Sequence, residues 1–288
     1  MTVAELKNAC YTYSKDTPFE KAAVNDVNVK FEQGKITGII GHTGSGKSTL
    51  SQLLNGLLKV SSGEVYVNDK NIWAEPKKIK EVRFKVGLVF QYPEYQLFDE
   101  TIRKDISFGP KNMGLDQKEI DERVIEAIKF VGLPEDVLDM SPFDISGGQK
   151  RRAAIAGIMA MRPEILVLDE PAAGLDPSGK KEIFDRLRQY KDDTNSTLII
   201  ISHSMEDMAE FCDNIVVMSD SKVFLSGTVD EVFSHSKELT SVGLTVPQAT
   251  QILMELKSMG YDVNTAAYTA EDAVSEIMKL FKGGDEGA

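Results

Sequence analysis

The sequence is poor in cysteine: Cys10 and Cys212 are the only two, and neither lies in a CxxC pair. Two cysteines cannot supply the disulfide framework of a small secreted domain. We therefore expect both to be small buried side chains in a reducing compartment.

Long hydrophobic runs are also missing. The main apolar runs, Ile165–Leu168 and Leu198–Ile201, have the length of a strand, whereas a membrane-spanning helix needs about 20 apolar residues. The first residues lack a basic stretch followed by an apolar segment, so no secretory signal is expected. Any attachment to a membrane is expected to come through a partner.

An excess of positive charge is missing as well. The chain of 288 residues has 33 Lys and Arg against 45 Asp and Glu, a formal net charge of −12. Nucleic-acid-binding proteins usually carry a positive surface, because neutralising phosphates drives their affinity. The local basic cluster Lys77–Lys85 is typical of a solvated face, so no nucleic-acid partner is expected.

The chain does contain alternating strand and helix patterns. Segments covered on both faces need no polar alternation, so the two apolar runs fit central strands of a parallel sheet, and the whole pattern predicts an α/β architecture. The other predicted elements are strands at 27–31, Ile36–Ile40 and Val86–Phe90, a hairpin at Gly63–Ile72, and helices at Leu50–Leu58, Glu119–Phe130 and Lys150–Met161.

The end of the chain differs from the rest. Two amphipathic helices are predicted at Gln248–Met259 and Thr269–Phe281, followed by the stop signals Gly260 and Gly283. They favour a small appended domain. The last six residues, GGDEGA, are expected to fray.

Residues 41–48 (GHTGSGKS) match GxxxxGK[ST] in full, between a predicted strand and a predicted helix. The glycines let successive backbone N–H groups point into one concavity, and the helix N-terminus adds partial positive charge. Lys47 is expected to reach the β- and γ-phosphates of a nucleotide, and Ser48 to supply a hydroxyl to Mg²⁺.

Asp169 and Glu170 directly follow the apolar run that begins at Ile165. Carboxylates at the carboxyl end of a strand face the crevice where α/β sheets bind ligands. Asp169 is expected to hold Mg²⁺ through water, and Glu170 to orient or deprotonate the attacking water. Together with the phosphate-binding loop, the pair indicates nucleotide hydrolysis.

The stretch Ser146-Gly147-Gly148-Gln149 begins 23 residues before Asp169. Ser146 can cap the following helix, whose N-terminal N–H groups and dipole favour a phosphate. The stretch resembles the LSGGQ signature of ABC ATPases, with Ile145 in place of the usual Leu. In that superfamily the signature contacts the γ-phosphate bound to the opposite subunit, so ATP binding closes a dimer.

The other ABC motifs follow in order, and the resemblance covers about residues 3–233. It implies that Gln91 senses Mg²⁺ and water, that His203 contacts the γ-phosphate, and that Asp176 lies in the D-loop. Tyr13 matches the aromatic residue that stacks on adenine. The alternatives are that Tyr13 is only a half-buried residue of a strand, or that its neighbour Tyr11 is the stacking residue. The implied site residues are Glu170, His203, Gln91 and Lys47 for catalysis; Tyr13, Gly41, Thr43, Gly44, Ser45, Gly46, Lys47, Ser48, Thr49, Ser146, Gly147, Gly148, Gln149 and Asp176 for ATP; and Ser48, Gln91 and Asp169 for Mg²⁺.

The resemblance also implies a domain organisation. A P-loop NTPase core with a parallel sheet, an antiparallel β subdomain and an α-helical signature subdomain at about 92–161 would form a nucleotide-binding domain over 1–235. Residues 236–288 would form a C-terminal α-rich appendage with a role in ATPase pairing.

Four stretches resemble the ATPases of energy-coupling factor (ECF) importers of vitamins and metals, namely 17–20 (TPFE), 41–44 (GHTG), 90–98 (FQYPEYQLF) and 105–114 (DISFGPKNMG). The first two are similar to the second, A-prime type ATPase of the shared-module type. In that family two ATPases dock beneath a transmembrane scaffold subunit, which pairs with interchangeable substrate-binding membrane subunits. The resemblance implies a peripheral protein at the cytoplasmic face of a prokaryotic membrane.

Residues 92–98 would then lie near the groove that receives the scaffold's coupling helices. The alternative is that Tyr95, Leu97 and Phe98 pack inside the helical subdomain. One residue departs from the family pattern. Ala172 stands where ABC ATPases often have Thr or Ser after the Asp169-Glu170 motif, but this change removes no catalytic group.

Three other functions remain open. An ATPase of a dedicated cobalt, nickel or biotin importer, paired with itself, would share all of this chemistry. A soluble ABC protein acting on DNA or ribosomes usually carries fused cassettes, coiled-coil insertions or basic arms, which the sequence lacks. A binding module without turnover is disfavoured by Glu170 and His203. The transported solute is not predicted, because in this family other chains recognise it.

Overall fold

The computed structural model describes residues 1–282. Its strands are β1 (Thr2–Tyr13), β2 (Lys21–Glu32), β3 (Ile36–Ile40), β4 (Ser62–Val67), β5 (Lys70–Asn71), β6 (Val86–Val89), β7 (Ile165–Asp169), β8 (Thr197–Ile201), β9 (Asn214–Ser219) and β10 (Lys222–Thr228). Its α-helices are α1 (Lys47–Leu54), α2 (Ile79–Lys85), α3 (Ile102–Met113), α4 (Gln117–Phe130), α5 (Gly147–Met159), α6 (Pro177–Thr194), α7 (Met205–Phe211), α8 (Val229–Ser234), α9 (Ser236–Ser241), α10 (Gln248–Ser258) and α11 (Ala270–Lys282).

Two sheets organise the nucleotide-binding part. The core sheet has the order β10-β9-β3-β8-β7-β6, and all its neighbouring strands run parallel except the edge pair β9 and β10. The second sheet, β2-β1-β4-β5, is antiparallel throughout. The predicted parallel core with an antiparallel β subdomain is confirmed.

The central strands are buried on both faces, as their unbroken apolar runs predict. Along β8, Leu198 and Ile200 face the core shared with the helices, whereas Ile199 and Ile201 face the core beneath the antiparallel sheet. Each strand therefore contributes to two hydrophobic layers. The carboxyl ends of β3, β6, β7 and β8 meet at one edge of the sheet, and this edge carries the site.

The helix predicted at Leu50–Leu58 was placed too late in the chain. Helix α1 begins at Lys47 and ends at Leu54. Gly56 has φ 70°, a conformation that ends a helix, and Leu57 is exposed beyond it. Leu57 and Leu58 keep the helical spacing of apolar residues, although they lie beyond the turn at Gly56 where the helix has already ended.

The segment after β10 contains more helix than the two amphipathic patterns predicted. The short helices α8 and α9 precede α10, and Leu239, Leu244 and Val246 still pack into the main core. A separate small core begins only at Ala249, which with Leu253 and Ala273 joins α10 to α11. The predicted fraying of GGDEGA and the stop signal Gly283 lie outside the described residues.

Both cysteines were predicted to be buried, and the structure has both residues half-buried. The thiol of Cys212 nevertheless points inward, 3.7 Å from Sδ of Met208, and burial raises the pKa of this thiol. Within residues 1–282, no helix combines the length and apolarity needed to cross a membrane.

Candidate nucleotide site

The phosphate-binding loop wraps tightly between β3 and α1. Gly46, the N-cap of α1, has φ 107°, and a Cβ there would lie 2.2 Å from the carbonyl oxygen of Ala23. A Cβ at Gly41 would lie 2.2 Å from the carbonyl oxygen of Met218. Only glycine fits these two close approaches, so the sequence pattern here is a steric requirement of the loop.

Lys47 lies at the centre of this loop. Its Nζ donates to the carbonyl oxygens of Gly41 and His42 at 2.7 and 3.0 Å. Burial lowers the pKa of this ammonium group, while the carboxylates of Asp169 and Glu170 act in the opposite direction. A buried cation beside two carboxylates is well placed to meet the negative charge of a polyphosphate.

Ser48 and Asp169 come together from residues far apart in sequence. The Ser48 hydroxyl donates to Oδ2 of Asp169 at 2.7 Å, and burial raises the pKa of the Asp169 carboxyl group. Gln91 follows β6, whose Val89 lies opposite Leu168 of β7, so Gln91 lies at the same edge of the sheet. The Gln91 side chain is exposed and makes no hydrogen bond to Ser48 or Asp169.

Glu170 is held in an uncommon backbone conformation. Its φ is 53°, a left-handed conformation that costs a residue with a side chain about 1–3 kcal/mol. Its N–H donates to the carbonyl oxygen of Ile201 at 2.9 Å, which ties the end of β7 to β8. Backbone strain of this kind points to a functional position.

The carboxylate of Glu170 is almost completely buried beside β8. Its Oε2 accepts from the Ser202 hydroxyl at 3.4 Å. Its Oε1 lies 3.3 Å from Nε2 of His203, but without the alignment of a hydrogen bond, so this oxygen has no hydrogen-bond partner within residues 1–282. Burial raises the pKa of Glu170, and the His203 ring opposes this shift.

Tyr13 rather than Tyr11 reaches the nucleotide loop. The Tyr13 hydroxyl and the Thr49 hydroxyl share a hydrogen bond of 3.2 Å, and Tyr13 is 38% exposed at a pocket lined by Gly44, Lys47 and other loop residues. Tyr11 packs against the core beneath the antiparallel sheet. The exposed ring of Tyr13 is therefore the one available for stacking.

The signature residues form a capping box. The Ser146 hydroxyl accepts from the N–H of Gln149 at 3.3 Å, and Oε1 of Gln149 accepts from the N–H of Ser146 at 2.9 Å. The predicted N-cap is thus confirmed. Gly147 and Gly148 are exposed at the start of α5, so their N–H groups are open to a ligand.

Asp176 has a structural role that the sequence did not indicate. Its Oδ1 accepts from the N–H of Gly179 at 2.9 Å, so it is the N-cap of α6. The side chain still lies at the exposed start of this helix.

Two residues around Glu170 were not predicted from the sequence. Ser202 bonds its carboxylate, and Arg151 of α5 donates to its carbonyl oxygen. The signal for Arg151 was its spacing: it precedes the buried Ile155 and Met159 by four and eight residues, on one stripe of the helix. A charge on an apolar stripe indicates a buried polar contact.

The comparisons with known proteins agree with this geometry. The model of the ABC transporter family matches residues 24–173, which include the phosphate-binding loop, the signature and the Asp169-Glu170 pair. The chain belongs to the ABC transporter family. As an ABC ATPase it binds nucleotide and hydrolyses ATP, and both the predicted fold and the predicted resemblance are confirmed.

Curated relatives refine the placement of this ABC ATPase. It is 50% identical to the energy-coupling factor transporter ATP-binding protein EcfA2 of Clostridium acetobutylicum, over 96% of this chain and 98% of the relative. It is 48% identical to EcfA2 of Caldanaerobacter subterraneus subsp. tengcongensis, over 97% and 98%.

The chain also resembles solved structures of ABC ATPases. The chain resembles cbiO1 of Clostridium perfringens, part of the ABC transporter complex cbiONQ, with 37% identity, a TM-score of 0.74, and 90% and 97% of the two chains covered. It also resembles the ATP-binding cassette MJ0796, solved as a dimer in a post-hydrolysis state bound to ADP and Pi. Here the identity is 27%, the TM-score 0.71, and the coverage 78% and 98%.

Proposed function

We propose that this chain is the ATP-hydrolysing subunit of an ECF-type importer of vitamins or other micronutrients, acting as half of an ATP-sandwich dimer. The observation that carries the catalytic assignment is the Glu170 carboxylate, which is buried beside His203 and has one oxygen without a hydrogen bond in the described part of the chain. A buried carboxylate with a free oxygen at a nucleotide site is suited to accept a hydrogen bond from an attacking water. The names of the EcfA2 relatives support the importer assignment.

The donors around Ser48 fit Mg²⁺. A hydroxyl and a carboxylate oxygen 2.7 Å apart are hard oxygen ligands of the kind that this ion prefers. Ser48 and Asp169 would hold the ion, Asp169 through water, with Gln91 at the same edge. The bound ion would neutralise charge on the phosphates.

The remaining residues act on the nucleotide through charge and position. Lys47 meets the β- and γ-phosphates, Tyr13 stacks on the adenine, and His203 contacts the γ-phosphate and keeps the Glu170 carboxylate beside it. The exposed N-terminus of α5, with Ser146, Gly147 and Gly148, binds the γ-phosphate held by the partner ATPase. Closing the dimer around ATP thus completes each site, and hydrolysis with product release reopens it.

A groove on the helical subdomain supports docking to a transmembrane scaffold. A cavity of about 420 Å³ lies between α2, α3, α5 and the segment after Gln91. Leu97 packs against the core, as the alternative prediction has it, but Tyr95 and Phe98 are 84% and 66% exposed. Exposed aromatic rings beside an apolar groove are typical of a protein interface. The protein would therefore lie at the cytoplasmic face of the membrane, with the substrate-binding subunits beyond the scaffold.

The catalytic assignment is tested with Glu170→Gln in the assembled complex. The amide keeps the shape of the side chain but cannot take a proton, so ATP binding should persist, turnover should fall by about 100-fold or more, and a closed dimer should accumulate. Phosphate release and gel filtration with ATP measure the two effects. Near-normal hydrolysis would remove Glu170 from this role.

The assembly is tested by gentle detergent purification of the tagged chain from its native membranes, with mass spectrometry of what accompanies it. A second ATPase, one polytopic scaffold and several small membrane proteins are expected. Recovery of this chain alone with one dedicated transporter would favour the self-paired cobalt, nickel or biotin importer. Recovery with ribosomes or soluble proteins only would overturn the transport assignment.

A further inference from the structure

A buried arginine connects the signature helix to the segment that carries Glu170. Arg151 lies two residues after Gln149 on α5 and is only 7% exposed. Its Nη1 donates to the carbonyl oxygen of Ala173 at 2.7 Å, and its Nη2 donates to the carbonyl oxygen of Glu170. One planar guanidinium therefore holds both ends of the turn that follows the glutamate.

Packing alone does not account for this side chain. Burying a guanidinium is costly unless a carboxylate pairs with it. Arg151 forms no ion pair within residues 1–282, and its Nε has no hydrogen-bond partner there. Burial lowers the pKa of Arg151, with the charges of Glu94 and Glu170 opposing the shift. An apolar residue would fill the space at lower cost, as Ile155 does one turn later on the same stripe.

The backbone of Glu170 is hydrogen-bonded at both of its peptide groups. Its φ of 53° is a conformation that residues with a Cβ rarely adopt. The N–H group of Glu170 donates to the carbonyl oxygen of Ile201, and its carbonyl group accepts from Arg151 as well as from the N–H of Ala173. Fixing both peptide groups fixes the direction of the Cα–Cβ bond, and hence where the carboxylate can lie.

We propose that Arg151 is a positioning residue for Glu170, which holds the glutamate's peptide in the left-handed conformation and keeps the carboxylate in the nucleotide site. The inference rests on the proposed catalytic role of Glu170. Arg151 belongs to the signature helix α5. If this helix shifts when it binds the phosphate held by the partner, Arg151 shifts with it and changes the position of Glu170 in this chain's own site. The contact thus links the two composite ATP sites.

The test compares Arg151→Met with Arg123→Met in the assembled complex. Arg123, on α4, is a control because its guanidinium is also largely buried in the helical subdomain and donates to the carbonyl oxygen of Met161 at 3.1 Å, although it is also paired with Glu119. It does not contact the Glu170 segment. Methionine fills much of the arginine volume without a charge, so both variants should fold.

Arg151→Met is expected to lower kcat by about 10- to 100-fold while ATP affinity stays within about twofold, because a small misplacement of a catalytic group has effects of this size. Arg123→Met should keep kcat. Arg151→Lys should recover part of the lost kcat, because an ammonium can donate to one of the two carbonyls but not to both in a fork. Steady-state hydrolysis, equilibrium ATP binding and thermal unfolding are measured for all three.

Turnover of Arg151→Met within about twofold of the unaltered protein would overturn the proposal. So would a parallel loss of ATP affinity and thermal stability, which indicates a structural role. Glu170→Gln, measured alongside, separates the two levels. Normal ATP hydrolysis by Glu170→Gln would refute the role of Glu170 itself. If Glu170→Gln loses hydrolysis while Arg151→Met hydrolyses ATP normally, only the positioning role of Arg151 is refuted.

Discussion

At the scale of single residues, the site contains two carboxyl groups, Asp169 and Glu170, whose pKa values burial raises. Burial raises the pKa of Glu170; the His203 ring opposes the shift and the charge of Asp169 adds to it. A base must be ionised to accept a proton from water. The rate of ATP hydrolysis at saturating ATP should therefore fall on the acid side at a higher pH than an ordinary glutamate would give, and a pH–rate profile measures where.

The control for this profile is Glu170→Gln, whose residual rate should lack that acid limb. The same variant checks the sign of the linkage. With a folded-state pKa above the unfolded value, Glu170 favours the folded state at low pH, and this contribution is lost as pH rises through the folded pKa. At neutral pH the amide variant should unfold at a temperature equal to or above that of the unaltered chain. A clear loss of thermal stability would contradict this account.

At the scale of elements, the segments predicted most accurately are those whose sequence pattern fits only one kind of structure. Continuous apolar runs placed β3, β7 and β8 within a residue, because a strand buried on both faces consists mostly of apolar residues. Helix α1 was misplaced because leucine spacing does not record that Gly56 turns the chain. Helices α8 and α9 were missed because six residues are too few to show periodicity.

The candidate site was predictable in part for the same reason. Glycine positions in the phosphate-binding loop follow from steric limits, and the capping box follows from hydrogen bonding within four residues. The contacts of Arg151 and Ser202 with Glu170 join residues 19 and 32 positions apart, and no local pattern encodes such distances. Tertiary packing alone brings them together.

A prediction at this scale concerns the start of α6. Asp176 caps this helix, and asparagine caps helices about as well, whereas alanine does not. Asp176→Ala should lower the free energy of unfolding by about 1 kcal/mol, and Asp176→Asn by much less. Urea unfolding of the isolated chain measures both. Equal losses would show that the charge of Asp176, rather than its cap, stabilises the fold.

At the scale of the whole molecule, helix α11 carries a row of exposed apolar side chains along one side. Val274, Met278 and Phe281 are all about half exposed or more and, at spacings of four and three, form one stripe along α11. The stripe lies beside the face of α11 that packs on α10 through Ala273 and Ile277. An apolar stripe left open next to a packed face supports the proposed role of the appendage in ATPase pairing.

The pairing role predicts the effect of a charge placed on that stripe. Met278→Lys should weaken association between this chain and its partner ATPase by about tenfold or more, because pairing would bury an unpaired ammonium group. ATP binding to the single chain should not change, since the site lies at the sheet edge and not on α11. Ser275→Lys adds the same charge at an exposed position of α11 outside the stripe and should leave association intact. Analytical ultracentrifugation of the two ATPases with ATP measures association, and equal weakening by both variants would assign the effect to net charge rather than to the stripe.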